Sequence, residues 1–125
     1  MALIIPYNNT RIFNFKITPK LLVPKNLIKP PHVLNKNYTP SNKSAIVTEN
    51  MDKLSKIKYA SKIAANSLSK AIKLIQNKTL RTGDEVDKFI HKYIITHHCY
   101  PSSLGYQSFP KTLCISLNDS KHIYK

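Results

Sequence analysis

The sequence predicts an α+β fold, on three observations. A proline-punctuated segment with apolar side chains occupies roughly the first third of the chain. Two stretches of helical periodicity follow, and then a short β-rich run. At 125 residues and 42% hydrophobic, the chain has material for one domain with a packed core. Two glycines leave nothing from which to build a Gly-rich phosphate loop, so the P-loop and dinucleotide fingerprints both fail. No run of 18 apolar residues exists; a membrane-spanning helix is excluded, and no membrane partner is expected.

Six of the eight prolines fall in the first 40 residues, namely Pro6, Pro19, Pro24, Pro30, Pro31 and Pro40. Each removes a backbone donor and pushes its predecessor towards extended backbone. Residues 20–33 (KLLVPKNLIKPPHV) are therefore expected to form an extended strap lying along a surface, and residues 35–44 a polar linker. From about residue 50 to residue 76 the spacing predicts a helix, with Met51, Leu54, Ile57, Ser61, Ala64, Leu68, Ala71 and Ile75 forming the buried stripe. Lys53, Lys56, Lys62, Lys70 and Lys73 decorate its other faces, which suits either an RNA contact or a solvated surface.

The second helix opens on Thr82-Gly83-Asp84-Glu85, a capping box in which hydroxyl and carboxylate satisfy each other's backbone donors. Asp84, Glu85 and Asp87 place negative charge at the positive end of the helix dipole. Val86, Phe89, Ile90, Tyr93 and Ile94 supply the buried face, and the helix should end near His97 and His98. A turn through Ser102, Ser103 and Gly105 leads to residues 112–117 (TLCISL), which read as a strand. It would present an edge expecting partner strands.

Charge divides the chain. Twenty basic against six acidic residues give +14, yet residues 1–48 hold seven basic residues and no acid. Two regions are expected: residues 1–48, a basic leader with the strap, and residues 49–125, the folded part. An acid-free basic leader fits a mitochondrial transit peptide, with plastid import and a cytoplasmic tail as alternatives. Cys99 and Cys114 are too few for a disulfide framework and are expected as free thiols.

Few residues offer chemistry of their own. His97, His98 and Cys99 are metal-capable, but adjacent residues share one tetrahedral ion poorly, and neither CxxC nor HExxH occurs. His91 is expected at the helix surface or boundary. Bimetallic or paired-carboxylate catalysis needs acids converging on one point. Here the caps absorb Glu49, Asp52, Asp84, Glu85 and Asp87, leaving Asp119 alone. GxSxG is absent. Residues 99–118 (CYPSSLGYQSFPKTLCISLN) instead gather Tyr100, Leu104, Tyr106, Phe109 and Cys114 around two prolines. Rigid aromatics with a thiol opposite would wall a pocket for a thioether side chain, or would simply form local core.

The run Thr82-Gly83-Asp84-Glu85-Val86-Asp87, then His91, Tyr100 to Tyr106, Phe109-Pro110-Lys111, Cys114, Ser116 and Asn118-Asp119 closely resembles the signature region of type I methionine aminopeptidases. The strap Val23-Pro24-Lys25-Asn26-Leu27-Ile28-Lys29-Pro30 is similar to the extension preceding the catalytic domain in eukaryotic and organellar members. Ser103 departs from the proline common in eukaryotic members. The resemblance implies the amino-terminal part of a pita-bread fold and removal of the initiator methionine from the N-terminus of nascent polypeptides, near the ribosome. It implies a substrate-binding wall of Ser103, Tyr106, Phe109 and Cys114, and two divalent metal ions whose ligands lie downstream in the family. None of those ligands is present here, so no metal is expected on this chain. The family's His-Gly-Ile-Pro loop is also missing; His122 falls one residue short of that loop's histidine. The expectation is a truncated chain, inactive alone. A basic RNA- or ribosome-binding protein, or a regulatory fragment pairing with a full-length enzyme, stands as the alternative.

Overall fold

A computed structural model describes residues 17–35, 37–38 and 50–116. Its centre is an antiparallel helical hairpin, onto which the strap and the segment after the second helix fold. In order, the chain forms α1 (Pro31–Leu34), α2 (Met51–Gln76), α3 (Gly83–Thr96) and a 3-10 turn at Tyr106–Ser108.

Helix α2 starts where Asn50 turns its side-chain oxygen onto the amides of Asp52 and Lys53, at 3.0 and 3.2 Å. Helix α3 starts at the anticipated capping box. Thr82 accepts from the Glu85 amide at 3.2 Å, and Glu85 accepts from the amides of Arg81 and Thr82 at 2.7 and 3.0 Å. These backbone donors, Arg81 first, hold the Glu85 carboxyl below its usual range.

Both helices close in the same way. The Thr79 amide reaches back to Leu74 O (2.8 Å) and Lys78 N to Ile75 O (2.9 Å); Cys99 N reaches Ile94 O (3.1 Å) and His98 N Ile95 O (3.0 Å). These are Schellman pairs, and glycine usually takes their left-handed position. In this glycine-poor chain Lys78 (φ 57°) and His98 (φ 56°) occupy it instead.

The two helices pack against each other. Lys70 Nζ stands 4.7 Å from the Tyr93 ring centre, and Tyr59 OH donates to His97 O at 3.3 Å, which fixes the antiparallel sense. The seam on α2 is narrow: only Ile63, Ser67 and Ala71 are buried. Small side chains permit close approach, and Ser67 satisfies its hydroxyl on Ala64 O at 2.7 Å. The expected stripe is therefore misplaced by about a quarter of a turn. Met51, Ile57, Leu68 and Ile75 are exposed, Leu68 at 47%, and of the residues assigned to it Ala71 alone is fully buried.

Three further expectations fail. Among the described residues there is no strand: residues 112–116 are irregular. Thr112 and Leu113 give their amides to Asp87 Oδ1, both at 2.9 Å, which removes two donors a ladder would need. Leu117 lies outside the described residues. His91, expected at the surface or boundary of the helix, is buried at 7% exposed. The strap, expected over residues 20–33, runs in the structure from Ile17; it stays non-helical through Pro30 but ends in one turn of helix with Pro31 at its first position, where a missing N–H costs nothing.

Candidate binding cleft

Position in the site is set by a polar network that joins three distant segments. His91 lies between the strap and the turn after Pro110. Its Nε2 is 3.0 Å from Leu22 O, which can only accept, so Nε2 carries the proton and donates. In the neutral ring Nδ1 then accepts from the Thr112 hydroxyl at 2.8 Å. Asp87, one turn earlier on the same face, takes the Thr112 and Leu113 amides. Its other oxygen, Oδ2, is buried with no partner among the described residues.

A second knot lies at the start of α3. Asp84 Oδ1 accepts from the Thr18 hydroxyl and from Lys111 Nζ (3.0 Å), while Oδ2 pairs with Lys88 at 2.6 Å. Lys111 also donates to Thr18, and it is almost wholly buried. The Lys88 hydrogen bond first, then Thr18 and Lys111, push the Asp84 carboxyl far below the usual carboxylate range. Strap, helix and turn thus meet at one carboxylate.

Between the strap and residues 103–114 opens a cleft of about 530 Å³. The four residues expected as a wall, Ser103, Tyr106, Phe109 and Cys114, all line it. Ile17, Gln107, Ser108 and Pro110 line it as well and were not anticipated. The rim is a tight loop. Gly105 (φ 88°) donates to Phe109 O at 2.8 Å, and Gln107 (φ 45°) and Ser108 (φ 67°) both adopt left-handed backbone. A side chain at Gly105 would meet Lys20 Nζ at 3.1 Å and Val33 Cγ2 at 3.4 Å, so the strap lies directly against the loop. His32 of α1 meets the Tyr106 ring edge-on, with centroids 5.5 Å apart. Beneath the loop, Leu104 and Pro101 are fully buried, and Tyr100 OH donates to Leu104 O at 2.9 Å. Burial raises the Tyr100 phenol.

A second, smaller hollow of about 430 Å³ lies between the start of α2 and the end of α3, where Tyr59, His97, His98 and Cys99 meet. His97 Nδ1 is committed to Tyr93 O at 2.8 Å, and burial raises the Cys99 thiol, which makes it a poor nucleophile. Among the described residues no three His, Cys, Asp or Glu side chains form a metal-binding group. His122 lies outside the described residues.

No family model matches the chain. Curated proteins do. Methionine aminopeptidase 1B, chloroplastic, of Arabidopsis thaliana is 35% identical over 104 residues, covering 83% of this chain and 27% of the relative. Methionine aminopeptidase 1D, mitochondrial, of Homo sapiens is 36% identical over 100 residues, 78% of this chain and 28% of the relative. Methionine aminopeptidase 2 of Mycobacterium tuberculosis is 41% identical over 66 residues, 53% and 22%. The chain spans under a third of the length of these relatives.

Proposed function

We infer from this chain's membership of the methionine aminopeptidase family that its cleft receives the methionine side chain at the N-terminus of a nascent polypeptide. One observation carries the reading. Ser103, Tyr106, Phe109 and Cys114, separated by up to eleven positions, border a single cleft of about 530 Å³ with aromatic walls and a thiol. Sulfur contacts to aromatic ring edges favour a thioether over an alkyl chain of equal length. In this reading Tyr106 and Phe109 bind the side chain, Cys114 contacts its sulfur, and Ser103 stands at the edge. Residues 49–125 form the beginning of a pita-bread catalytic domain, and residues 1–48 a leader and strap. The names of the relatives favour an organelle, mitochondrion or plastid, as its location.

Hydrolysis in this family calls on two divalent ions, which supply an activated water and stabilise the oxyanion. The described residues do not fit such a centre. Asp84 is tied to Lys88, Lys111 and Thr18, Glu85 to the cap, and Asp87 to two backbone amides. No step of hydrolysis is assigned to them, and the described residues are expected to bind without cutting.

The test is a titration of the purified chain with methionyl-alanyl-serine, followed by NMR, beside a peptidase assay with added divalent metal. Shifts confined to residues 103–114 without release of methionine are expected. Metal-dependent release would overturn the assignment of binding alone, and shifts elsewhere would overturn the cleft.

A second reading draws on the lysines of α2. Lys53, Lys58, Lys62 and Lys73 are all exposed, which suits a contact with ribosomal RNA. Binding that falls steeply with salt, and disappears when Lys53, Lys56 and Lys62 become Glu, would favour it.

A further inference from the structure

The cleft has a wall that the signature region does not supply. Ile17 belongs to the strap, 86 positions before Ser103, yet both line the same cleft. We propose that Ile17 is a specificity-determining residue of this cleft, held there by the Thr18–Asp84–Lys111 knot, so that the strap sets which apolar side chains fit. The proposal rests on the reading of the cleft as a side-chain pocket and adds to it a determinant outside the signature region.

The geometry is specific to these residues. Thr18, adjacent to Ile17, donates to Asp84 Oδ1 and accepts from Lys111 Nζ. Lys111 in turn follows Phe109 and Pro110, two other lining residues. The same cation therefore positions the wall from the strap and the wall from the turn, which fixes the width between them. His91 Nε2 also donates to Leu22 O, and His32 abuts the Tyr106 ring, so the strap is anchored at two further points. Ile17 itself is 50% exposed and lines the cleft. A half-exposed isoleucine contributes little to stability, and its substitution leaves the fold in place.

The experiment compares binding of methionyl-alanine and phenylalanyl-alanine to the whole 125-residue chain by NMR titration. Ile17→Ala should weaken methionyl-alanine about threefold to tenfold, the scale of removing part of an apolar wall, and should raise the relative affinity for the bulkier phenylalanyl-alanine. Thr18→Val keeps the shape but removes the hydroxyl, and should shift the preference in the same direction. Thr18→Ser should restore it, a readout that general loosening of the fold would not give. If Ile17→Ala binds both peptides as the unsubstituted chain does while Phe109→Ala abolishes binding, Ile17 is no wall and the inference falls, leaving the cleft reading intact. If the unsubstituted chain binds neither peptide, the cleft reading falls and takes this inference with it.

Discussion

Helices α2 and α3 are both well capped and both close on a left-handed residue, but they are held in different ways. Helix α2 has 26 residues and buries three side chains, all on one narrow seam against its partner. Helix α3 has 14 residues and buries Asp87, Ile90 and His91, two of them polar and bonded to segments at least 21 positions away. The long helix is an outer element joined by packing. The short one is a hub, and its polar groups decide where the strap and the cleft loop lie. Length and periodicity are thus poor guides to which helix organises the molecule; the number of distant partners a helix satisfies is the better one.

The contrast is open to attack, first at Asp87. Replacing it by Ala strands the buried Thr112 amide and the partly buried Leu113 amide, at a cost of about 2–4 kcal/mol. Asp87→Asn, which keeps an acceptor, should cost less than half of that. Urea denaturation midpoints measure both, and a wild-type midpoint for Asp87→Ala would dissolve the claim that α3 is the hub.

Next in size is His91→Leu, which fills the space but leaves Leu22 O without its donor. A loss of about 1–3 kcal/mol is expected, together with faster hydrogen exchange in residues 18–27. Exchange rates there that do not move would mean the strap is held by other contacts. On α2 the equivalent probe, Leu68→Gln on the exposed stripe, should change stability by under about 0.5 kcal/mol.

Two smaller effects sharpen the comparison. Lys78→Gly relieves left-handed backbone at the end of α2 and should raise the thermal midpoint, with a gain of about 0.5–1 kcal/mol. An unchanged or lower midpoint would show that the Lys78 conformation is not strained. Acid should act on α3 rather than α2. Because the Asp84 carboxyl is depressed in the fold, its contribution is present above the unfolded carboxylate value of about 4 and is lost as pH falls towards its folded value. Asp84→Asn should flatten the fall in stability below about pH 4. A variant whose acid denaturation curve keeps its shape would place the sensitivity elsewhere.

Local signals in the sequence were legible where chemistry is local. The capping box at Thr82 and Glu85 needs only residues three apart, and both of its bonds form. The bounds of α2 and α3 follow from caps and periodicity within a residue or two. Two prolines and a turn confine Tyr106, Phe109 and Cys114 to a short stretch, which brings them to one cleft; Ser103 joined them only through the resemblance.

Tertiary structure decided the rest. Helix α2 offers two adjacent apolar stripes, through Leu68 and through Ile63, and periodicity cannot rank them; contact with α3 chose the stripe with the small residues Ser67 and Ala71. Residues 112–116 have strand-like composition, but a strand exists only with a partner, and Asp87 captured their donors first. His91 looks like a surface or boundary residue of a capped helix, and Asp87 like one more charge near its start, until the strap and the turn close over them. Ile17 shows no signal at all, since its role comes from a hydroxyl and an ammonium meeting across the 93 positions between Thr18 and Lys111. Pairing at that separation depends on how the whole chain folds back, a property no local pattern contains.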